Sequence, residues 1–196
     1  MEQRIISIFH ESIEACMNAG EHLPPLLVSA SQSMVNALLN DKKIICCGNG
    51  VSSAQAQILV SCLINRFEQE RPGLPAFHLG ADITTQTAIS NDYGLNDIYA
   101  KQLRSLGQAG DLLILLTEQG KSSNLLQTIS AAHDKDIQVI ALTGGDGGDI
   151  TALLDNRDIE LRAPSHSKAR IHEVHLLSIF CLCDLIDQQL FGAHPD

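Results

Sequence analysis

The sequence has no tryptophan and few aromatic residues of any kind, with two tyrosines and five phenylalanines among 196 residues. Cations are also scarce, because 13 Lys and Arg stand against 23 Asp and Glu, which gives a formal charge of −10. Nonspecific nucleic-acid binding needs clustered cations that displace counterions, and single strands also stack on aromatic rings. The composition therefore argues against a direct nucleic-acid partner.

The sequence also lacks the patterns of membrane, secreted and zinc-ribbon proteins. The apolar runs fall short of the roughly 20 residues that cross a bilayer, and Glu2 and Arg4 occupy the region where a signal peptide has its apolar core. The six cysteines contain no CxxC pair, so we expect reduced thiols in the core. A redox role would need a neighbour that stabilises a thiolate. We expect a cytoplasmic protein without a membrane partner.

Apolar spacing predicts an α/β fold preceded by a pair of helices. A helical stripe covers residues 1–20, Pro24 and Pro25 end it, and a second helix reaches residue 40. Short apolar runs then alternate with glycine turns and helical stretches, which is typical of a parallel sheet. The predicted strands are 44–47, 76–79, 112–116, 139–142 and 159–161, and the predicted helices are 52–67, 83–90, 95–106, 122–134, 148–154 and 168–190. Residues 1–40 thus form N-terminal helices for oligomerisation, and residues 41–196 form the α/β domain of one structural unit.

The last predicted helix, 168–190, carries apolar residues around most of its circumference. One sheet covers only one stripe of a helix, so the remaining apolar surface needs a second partner. We expect that partner to be another copy of the chain, joined by the apolar N-terminal helices. The alternative is a central helix that is fully buried within one subunit.

Glycine-bearing turns follow the first, third and fourth predicted strands, where parallel sheets bind ligands. In turn 48–53, glycines allow close backbone approach and Ser52 or Ser53 can cap the next helix, but a third nucleotide-binding glycine is missing. In turn 117–123, hydroxyl groups could cradle a phosphate, but Glu118 would repel it by about 1 to 4 kcal/mol. Turn 144–149 is predicted to be an acidic connection.

Six separated motifs resemble those of the SIS (sugar isomerase) family in their order along the chain. The motifs are GNGVS at 48–52, NRF at 65–67, RPGLPA at 71–76, NDYGLND at 91–97, LTGGDGG at 142–148 and ARIHEVH at 169–175. They are similar, more narrowly, to the group that contains sedoheptulose-7-phosphate isomerase, also called phosphoheptose isomerase, and non-enzymatic relatives that associate with the replication initiator DnaA. The resemblance implies a three-layer sandwich with a five-stranded parallel sheet flanked by helices, assembled as a homotetramer.

The isomerase resemblance also implies a zinc ion held by a His and a Glu after the first turn and by a Gln and a His on the last helix. The matching positions here are occupied by Ile58, Cys62, His172 and Phe180. Two scattered ligands do not make a zinc site, and Cys62 does not replace a carboxylate base. We therefore expect no enzyme activity, no metal and no cofactor. An alternative metal site combines His172 and His175 with Glu173 or a distant ligand, with His166 close in sequence.

The non-enzymatic branch of the resemblance implies a protein that binds several DnaA molecules and promotes their ordered assembly at the chromosomal origin. The resemblance extends through Leu190 and Phe191, so we assign this apolar pair to initiator contact, with packing against a neighbouring subunit as the alternative. A vestigial phosphosugar pocket would be formed by Asn49, Ser52, Ser53, Thr117, Gln119, Ser122 and His172. Phosphoheptose isomerisation and phosphosugar sensing remain the alternative functions.

Overall fold

The structure is a computed structural model that describes residues 1–192, so residues 193–196 of the predicted α/β domain lie outside the described range. It confirms a five-stranded parallel sheet in the order β2-β1-β3-β4-β5. The strands are β1 (Ile44–Gly48), β2 (Ala76–His78), β3 (Leu112–Leu116), β4 (Gln138–Gly144) and β5 (Ile159–Ala163). The helices are α1 (Glu2–His22), α2 (Pro24–Leu39), α3 (Val51–Ile64), α4 (Ile83–Asp92), α5 (Ala100–Leu106), α6 (Ser123–His133), α7 (Gly148–Thr151) and α8 (Lys168–Phe191).

The strand register brings the glycine-bearing turns together at one edge of the sheet. Gly48 at the end of β1 pairs with Leu116 at the end of β3, and Leu116 pairs with Leu142 of β4. All four strand pairs are parallel. The turns after β1, β3 and β4 therefore lie side by side at the carboxyl edge, where the sequence predicts the ligand site.

The sheet separates two apolar cores, which confirms the three-layer arrangement. Alternate residues of β1 face opposite sides: Ile44 and Cys46 join the core formed with α1, α2, α3 and α8, whereas Ile45 and Cys47 join the core formed with α4, α5, α6 and α7. Every residue of β1 and β3 is buried, which explains why these strands are continuous apolar runs rather than alternating ones.

The N-terminal helices form as predicted, but the apolar stripe of α1 faces away from the rest of the chain. Helix α1 ends at His22 and α2 begins at Pro24, because proline is tolerated in the first turn of a helix but not in its interior. The buried side of α1 contains the small residues Ala15 and Ala19. Its larger apolar residues are exposed: Ile5 55%, Phe9 66%, Ile13 55% and Met17 66%.

Helix α8 lies at the centre of the first core. It packs on α1, α2, α3, β4 and β5, and Leu177 is its large apolar side chain with the greatest exposure. Elements of the same chain thus cover most of the apolar surface of α8 for which the sequence analysis expects a second copy. The uncovered apolar stripe lies on α1 instead. By length and composition alone, α8 is long and apolar enough to cross a membrane. The sequence analysis did not expect such a segment.

Candidate functional site at the carboxyl edge of the sheet

A cleft of about 380 Å³ opens between the turns that follow β1 and β3 and the start of α8. The residues that line it are Asn49, Gly50, Val51, Ser52, Leu116, Thr117, Glu118, Ser122, Lys168 and His172. The structure therefore brings together five of the seven residues that the sequence assigns to a pocket, from three separate segments of the chain. Ser53 and Gln119 do not line this cleft.

The turn after β1 is held rigidly by contacts from other elements. A Cβ atom on Gly48 would lie 2.8 Å from the backbone of Ser52, so only glycine fits there. The Tyr99 hydroxyl donates to the Gly48 carbonyl at 2.6 Å, and Asn49 exchanges two side-chain hydrogen bonds of 2.9 Å with Asn124. Within residues 1–192, the buried Ser52 hydroxyl at the cleft has no hydrogen-bond partner.

The turn after β3 divides the predicted pocket residues between two neighbouring clefts. The Thr117 hydroxyl accepts a hydrogen bond from the Gly120 amide at 3.1 Å, so part of its hydrogen-bonding capacity is used within the turn itself. Gln119 lines a second cleft of about 310 Å³, together with Lys121, Asp146 and His166. Gln119 thus lines the neighbouring cleft, beside the turn after β4, and this cleft shares Glu118 and Lys168 with the first.

Ser53 lies outside the cleft lining, although the sequence analysis places it in the pocket. Its hydroxyl lies 3.3 Å from Nε2 of His78, at the end of β2, rather than in the cleft. Successive residues of a helix point about 100° apart, so Val51 and Ser52 line the cleft while Ser53 points on towards β2. Ser52 is the one that faces the cleft.

An ion pair between Glu118 and Lys168 crosses the boundary of the two clefts. The Lys168 ammonium lies 3.3 Å from the Glu118 carboxylate. Burial alone would raise the pKa of Glu118, but its own backbone N–H and Lys168 outweigh burial and lower it. Glu118 is therefore ionised at neutral pH, and the cation that could bind a phosphate already has an anionic partner.

His172 is oriented by Gln55, a residue that the sequence analysis did not single out. Nδ1 of His172 lies 2.9 Å from Oε1 of Gln55, so this ring nitrogen carries the proton and donates it. Gln55 in turn donates to the His172 carbonyl at 2.6 Å. Burial lowers the pKa of His172, partly opposed by Glu118, and the ring is neutral at pH 7. The contact joins α3 to α8, which no local sequence pattern shows.

The residues at the implied zinc positions do not fit a zinc ion. Ile58 and Phe180 offer no ligand atom, and the Phe180 ring stacks on Phe67 with centroids 5.7 Å apart. Cys62 and His172 hold the ligand atoms that remain at these positions, one atom each. A structural or catalytic zinc needs three or four converging N, S or O ligands.

The alternative histidine site does not assemble either. Nε2 of His175 donates to the Thr143 carbonyl at 2.8 Å, and Glu173 accepts hydrogen bonds from Ser12 and Arg170. His166 lines the second cleft.

In the described part of the chain, the ligand atoms that do converge belong to His133, Asp155 and Asp158. Their oxygens already accept hydrogen bonds from backbone N–H groups, and they lie beside the start of β5, at the opposite edge of the sheet. We therefore assign no metal there.

The apolar pair near the end of α8 is split between the core and the surface. Leu190 is half-buried and packs against the first core, whereas Phe191, the last residue of the helix, is 42% exposed. The Gln69 side chain lies 3.5 Å from the Gly192 carbonyl and brings the segment after α3 beside this end. Phe191 is thus the member of the pair that is available to a partner.

The fold and the cleft agree with the similarity of the sequence to known proteins. The chain belongs to the SIS domain family, whose pattern matches residues 9–144. It is 54% identical to the phosphoheptose isomerase of Chromohalobacter salexigens over 192 residues, which cover 98% of each chain. It is 48% identical to the DnaA initiator-associating protein DiaA of Klebsiella pneumoniae subsp. pneumoniae over the full length of both.

A solved structure extends this similarity to three dimensions. The phosphoheptose isomerase from Francisella tularensis is 46% identical and superposes with a TM-score of 0.93, covering 95% of this chain and 97% of the other. Relatives named as isomerases and as initiator-associating proteins are thus similar to the chain to nearly the same degree. Overall similarity does not choose between these functions, so the choice depends on the residues of the site.

Proposed function

We propose that the protein is a non-catalytic SIS homotetramer that binds the replication initiator DnaA and promotes its ordered assembly at the chromosomal origin. The observation that carries this proposal is the set Ile58, Cys62 and Phe180, which stand where the resemblance implies metal ligands and a base. The full-length similarity to DiaA supports the same function. The formal charge of −10 favours action through the initiator rather than direct contact with DNA.

The groups that line the cleft are poorly suited to sugar isomerisation. Moving a proton between adjacent carbons needs a positioned base whose pKa lies near the working pH. Glu118 is the carboxylate at the cleft, but Lys168 at 3.3 Å contributes to lowering its pKa, which weakens it as a base. Cys62 does not line the cleft. A cleft lining that offers neither a zinc ligand set nor a base of suitable pKa supports recruitment rather than turnover.

Assembly would give the protein its means of action. Several identical binding sites on one rigid body raise the effective concentration of the second and later initiator molecules without new contacts. The exposed apolar stripe of α1, with Phe9 and Met17 each 66% exposed, is a suitable surface for joining copies of the chain.

Initiator contact is assigned to Leu190 and Phe191. The double variant Leu190→Ala with Phe191→Ala is expected to keep its oligomeric mass and to lose binding in a pull-down with purified DnaA. A matched control is Tyr93→Ala with Leu95→Ala, an apolar pair exposed by 60% and 65% on another surface. Unchanged initiator capture by the first variant would refute the assignment.

Light scattering of the protein alone and with purified DnaA tests the proposal as a whole. We expect a tetramer that takes up several initiator molecules, because the oligomer size and the stoichiometry are both read from the same mass. A tetramer that leaves the initiator monomeric at micromolar concentrations would contradict the proposal.

A phosphosugar-sensing function is the second candidate, and the unpaired Ser52 hydroxyl in the cleft favours it. A ligand at about 100 times its dissociation constant stabilises the folded state by roughly 2.7 kcal/mol. A panel of phosphosugars, including sedoheptulose 7-phosphate, should therefore raise the melting temperature if the cleft is a sensor. We expect no such rise, because Glu118 already pairs with Lys168.

A further inference from the structure

A cavity of about 550 Å³ lies at one side edge of the sheet, between β2 and the helices α4 and α5. β2 is the outermost strand, and its only neighbour in the sheet is β1. Phe77 of β2, Ile89 of α4 and Leu106 of α5 supply apolar walls. The residues that line this cavity differ from those of the two clefts at the carboxyl edge, so it is a separate site.

Gln102, on α5, is a buried polar residue in the wall of this cavity, with an exposed fraction of 7%. Its amide nitrogen donates to the Leu79 carbonyl at 2.9 Å and to the Ile98 carbonyl at 2.6 Å. These two hydrogen bonds use both N–H groups and fix the orientation of the amide. Within residues 1–192, Oε1 of Gln102 accepts no hydrogen bond. This oxygen is therefore available to a donor that enters the cavity.

The charged groups that line the cavity already have partners in the chain. The Asp82 carboxylate caps α4 and accepts from the backbone N–H groups of Thr84 and Thr85 at 2.9 and 3.1 Å. The Lys101 ammonium lies 3.6 Å from the centre of the Tyr93 ring, which is a cation–π contact. The cavity thus suits a ligand without a net charge.

His78 contributes a neutral ring to the wall formed by β2. Its exposed fraction is 7%, and burial lowers its pKa, so the imidazole is uncharged at neutral pH. Its Nε2 lies 3.3 Å from the Ser53 hydroxyl, and a Cβ atom on Gly80 would lie 2.5 Å from its Cε1. The ring is therefore held in place. Together with Phe77, it gives this wall two aromatic rings.

We propose that this cavity binds a small uncharged aromatic compound that carries an N–H or O–H donor. The ring of the compound would lie between Phe77, Ile89 and Leu106, and its donor would bind Oε1 of Gln102. Apolar walls with a few fixed polar groups are typical of small-molecule sites, in which the polar groups set orientation and specificity. The site is distinct from the surface assigned to initiator contact, because Phe191 does not line the cavity.

Two ring compounds of similar shape test the role of the donor. Indole has an N–H group in its smaller ring, whereas benzofuran has an oxygen atom at that position. Equilibrium dialysis against the wild-type protein gives both dissociation constants. We expect indole to bind about fivefold or more tightly than benzofuran, because benzofuran would leave Oε1 of Gln102 desolvated without a donor. Equal affinities would overturn the role of Gln102, and a failure of both compounds to bind at millimolar concentrations would overturn the proposal.

A matched pair of serine variants tests the location of the site. Ser105 on α5 lines the cavity, whereas Ser130 lies on α6 and does not. Both are exposed, and each hydroxyl donates to the carbonyl four residues earlier, at 3.0 and 3.3 Å. Ser105→Phe should fill the cavity and abolish indole binding, and Ser130→Phe should bind indole like the wild type. Circular dichroism confirms that both variants fold. Equal indole binding by the two variants would place the compound elsewhere and overturn the proposal.

Discussion

His175 illustrates how burial fixes the protonation of one residue and makes the stability of the fold depend on pH. Burial lowers its pKa from 6.5 to about 4, and its Nε2 donates to the Thr143 carbonyl at 2.8 Å. The unfolded chain takes up a proton near pH 6.5, whereas the folded chain does not until about pH 4. The stability that neutral His175 contributes is thus complete above pH 6.5. It is lost as the pH falls towards 4, by about 3 kcal/mol in total.

Replacing His175 by glutamine should reduce this pH dependence. The amide keeps a donor for Thr143 and has no charge at any pH, so the free energy of unfolding of His175→Gln should fall less than that of the wild type between pH 7 and pH 5. Urea titrations at the two pH values measure the difference. His10→Gln, which changes an exposed histidine, should behave like the wild type. An identical pH response of His175→Gln and the wild type would refute the role of burial.

Glu118 is expected to weaken phosphate binding in the cleft. Glu118→Gln removes a negative charge and frees the Lys168 ammonium, which now lies 3.3 Å away. Since two like charges about 4 Å apart repel by about 1 to 4 kcal/mol, the variant should bind sedoheptulose 7-phosphate about fivefold or more tightly than the wild type in calorimetry. Asp146→Asn, which changes the second cleft only, is the control. If Glu118→Gln shows no gain in affinity, Glu118 does not weaken phosphate binding in the cleft.

The sequence could predict several residues of the cleft but not their partners. Ser52 and His172 follow from turn chemistry and family resemblance, whereas Gln55 and Tyr99 act through contacts between distant elements. No spacing within a single helix reports such a contact.

The segment between α3 and β2 is tied to α8 by a buried ion pair. The Arg71 and Asp187 side chains are 1% and 6% exposed, and Nε of Arg71 lies 2.7 Å from the carboxylate. Arg71 also donates to the Leu63 carbonyl at 2.8 Å. Charges that are this deeply buried depend on their partners, so the contact fixes the segment on the helix that carries Phe191.

Arg71→Ala should destabilise the protein by about 3 to 5 kcal/mol, because it leaves the Asp187 carboxylate buried without a counter-charge. Arg66→Ala is the matched control in the same segment, where the ion pair with Glu70 is exposed and 3.7 Å long. This variant should cost less than about 1 kcal/mol. Chemical denaturation of both variants gives the comparison, and similar losses in the two would contradict the structural role of Arg71.

Element boundaries were predicted well where the apolar pattern was strong. β3 occupies Leu112–Leu116 as predicted, and the other strands differ by a few residues. The predicted helix 95–106 is instead a 3-10 turn at Leu95–Asp97 followed by α5, and the predicted helix 148–154 ends at Thr151. Short helices depend on tertiary packing more than on their own propensity, so the sequence alone could not set their limits.

At the scale of the whole molecule, the surface of α1 rather than α8 is expected to hold copies together. A sequence pattern shows that a helix has an apolar stripe, but it does not show which stripe the chain itself covers. Within one chain, Phe9 and Met17 are each 66% exposed, whereas the large apolar residue of α8 with the greatest exposure is Leu177, at 47%. A continuous exposed apolar stripe on a helix, such as that of α1, marks an association surface.

Phe9→Glu should therefore separate the oligomer without unfolding the subunit. Its monomer should still capture DnaA but should promote initiator assembly poorly, because multivalency is lost. Light scattering gives the mass, and circular dichroism confirms the fold. Leu95→Glu places the same charge at another exposed apolar position and should leave the oligomer intact. A Phe9→Glu variant that keeps the wild-type mass would exclude α1 from the interface.

Turnover of sedoheptulose 7-phosphate tests most directly whether the protein has become a scaffold without catalysis. The purified protein, supplied with zinc, is mixed with this sugar phosphate, and the products are followed by NMR beside the phosphoheptose isomerase from Francisella tularensis. We expect no product above the protein-free control, because Ile58, Cys62 and Phe180 provide neither a zinc site nor a carboxylate base. Turnover at a rate close to that of the isomerase would contradict the proposed function.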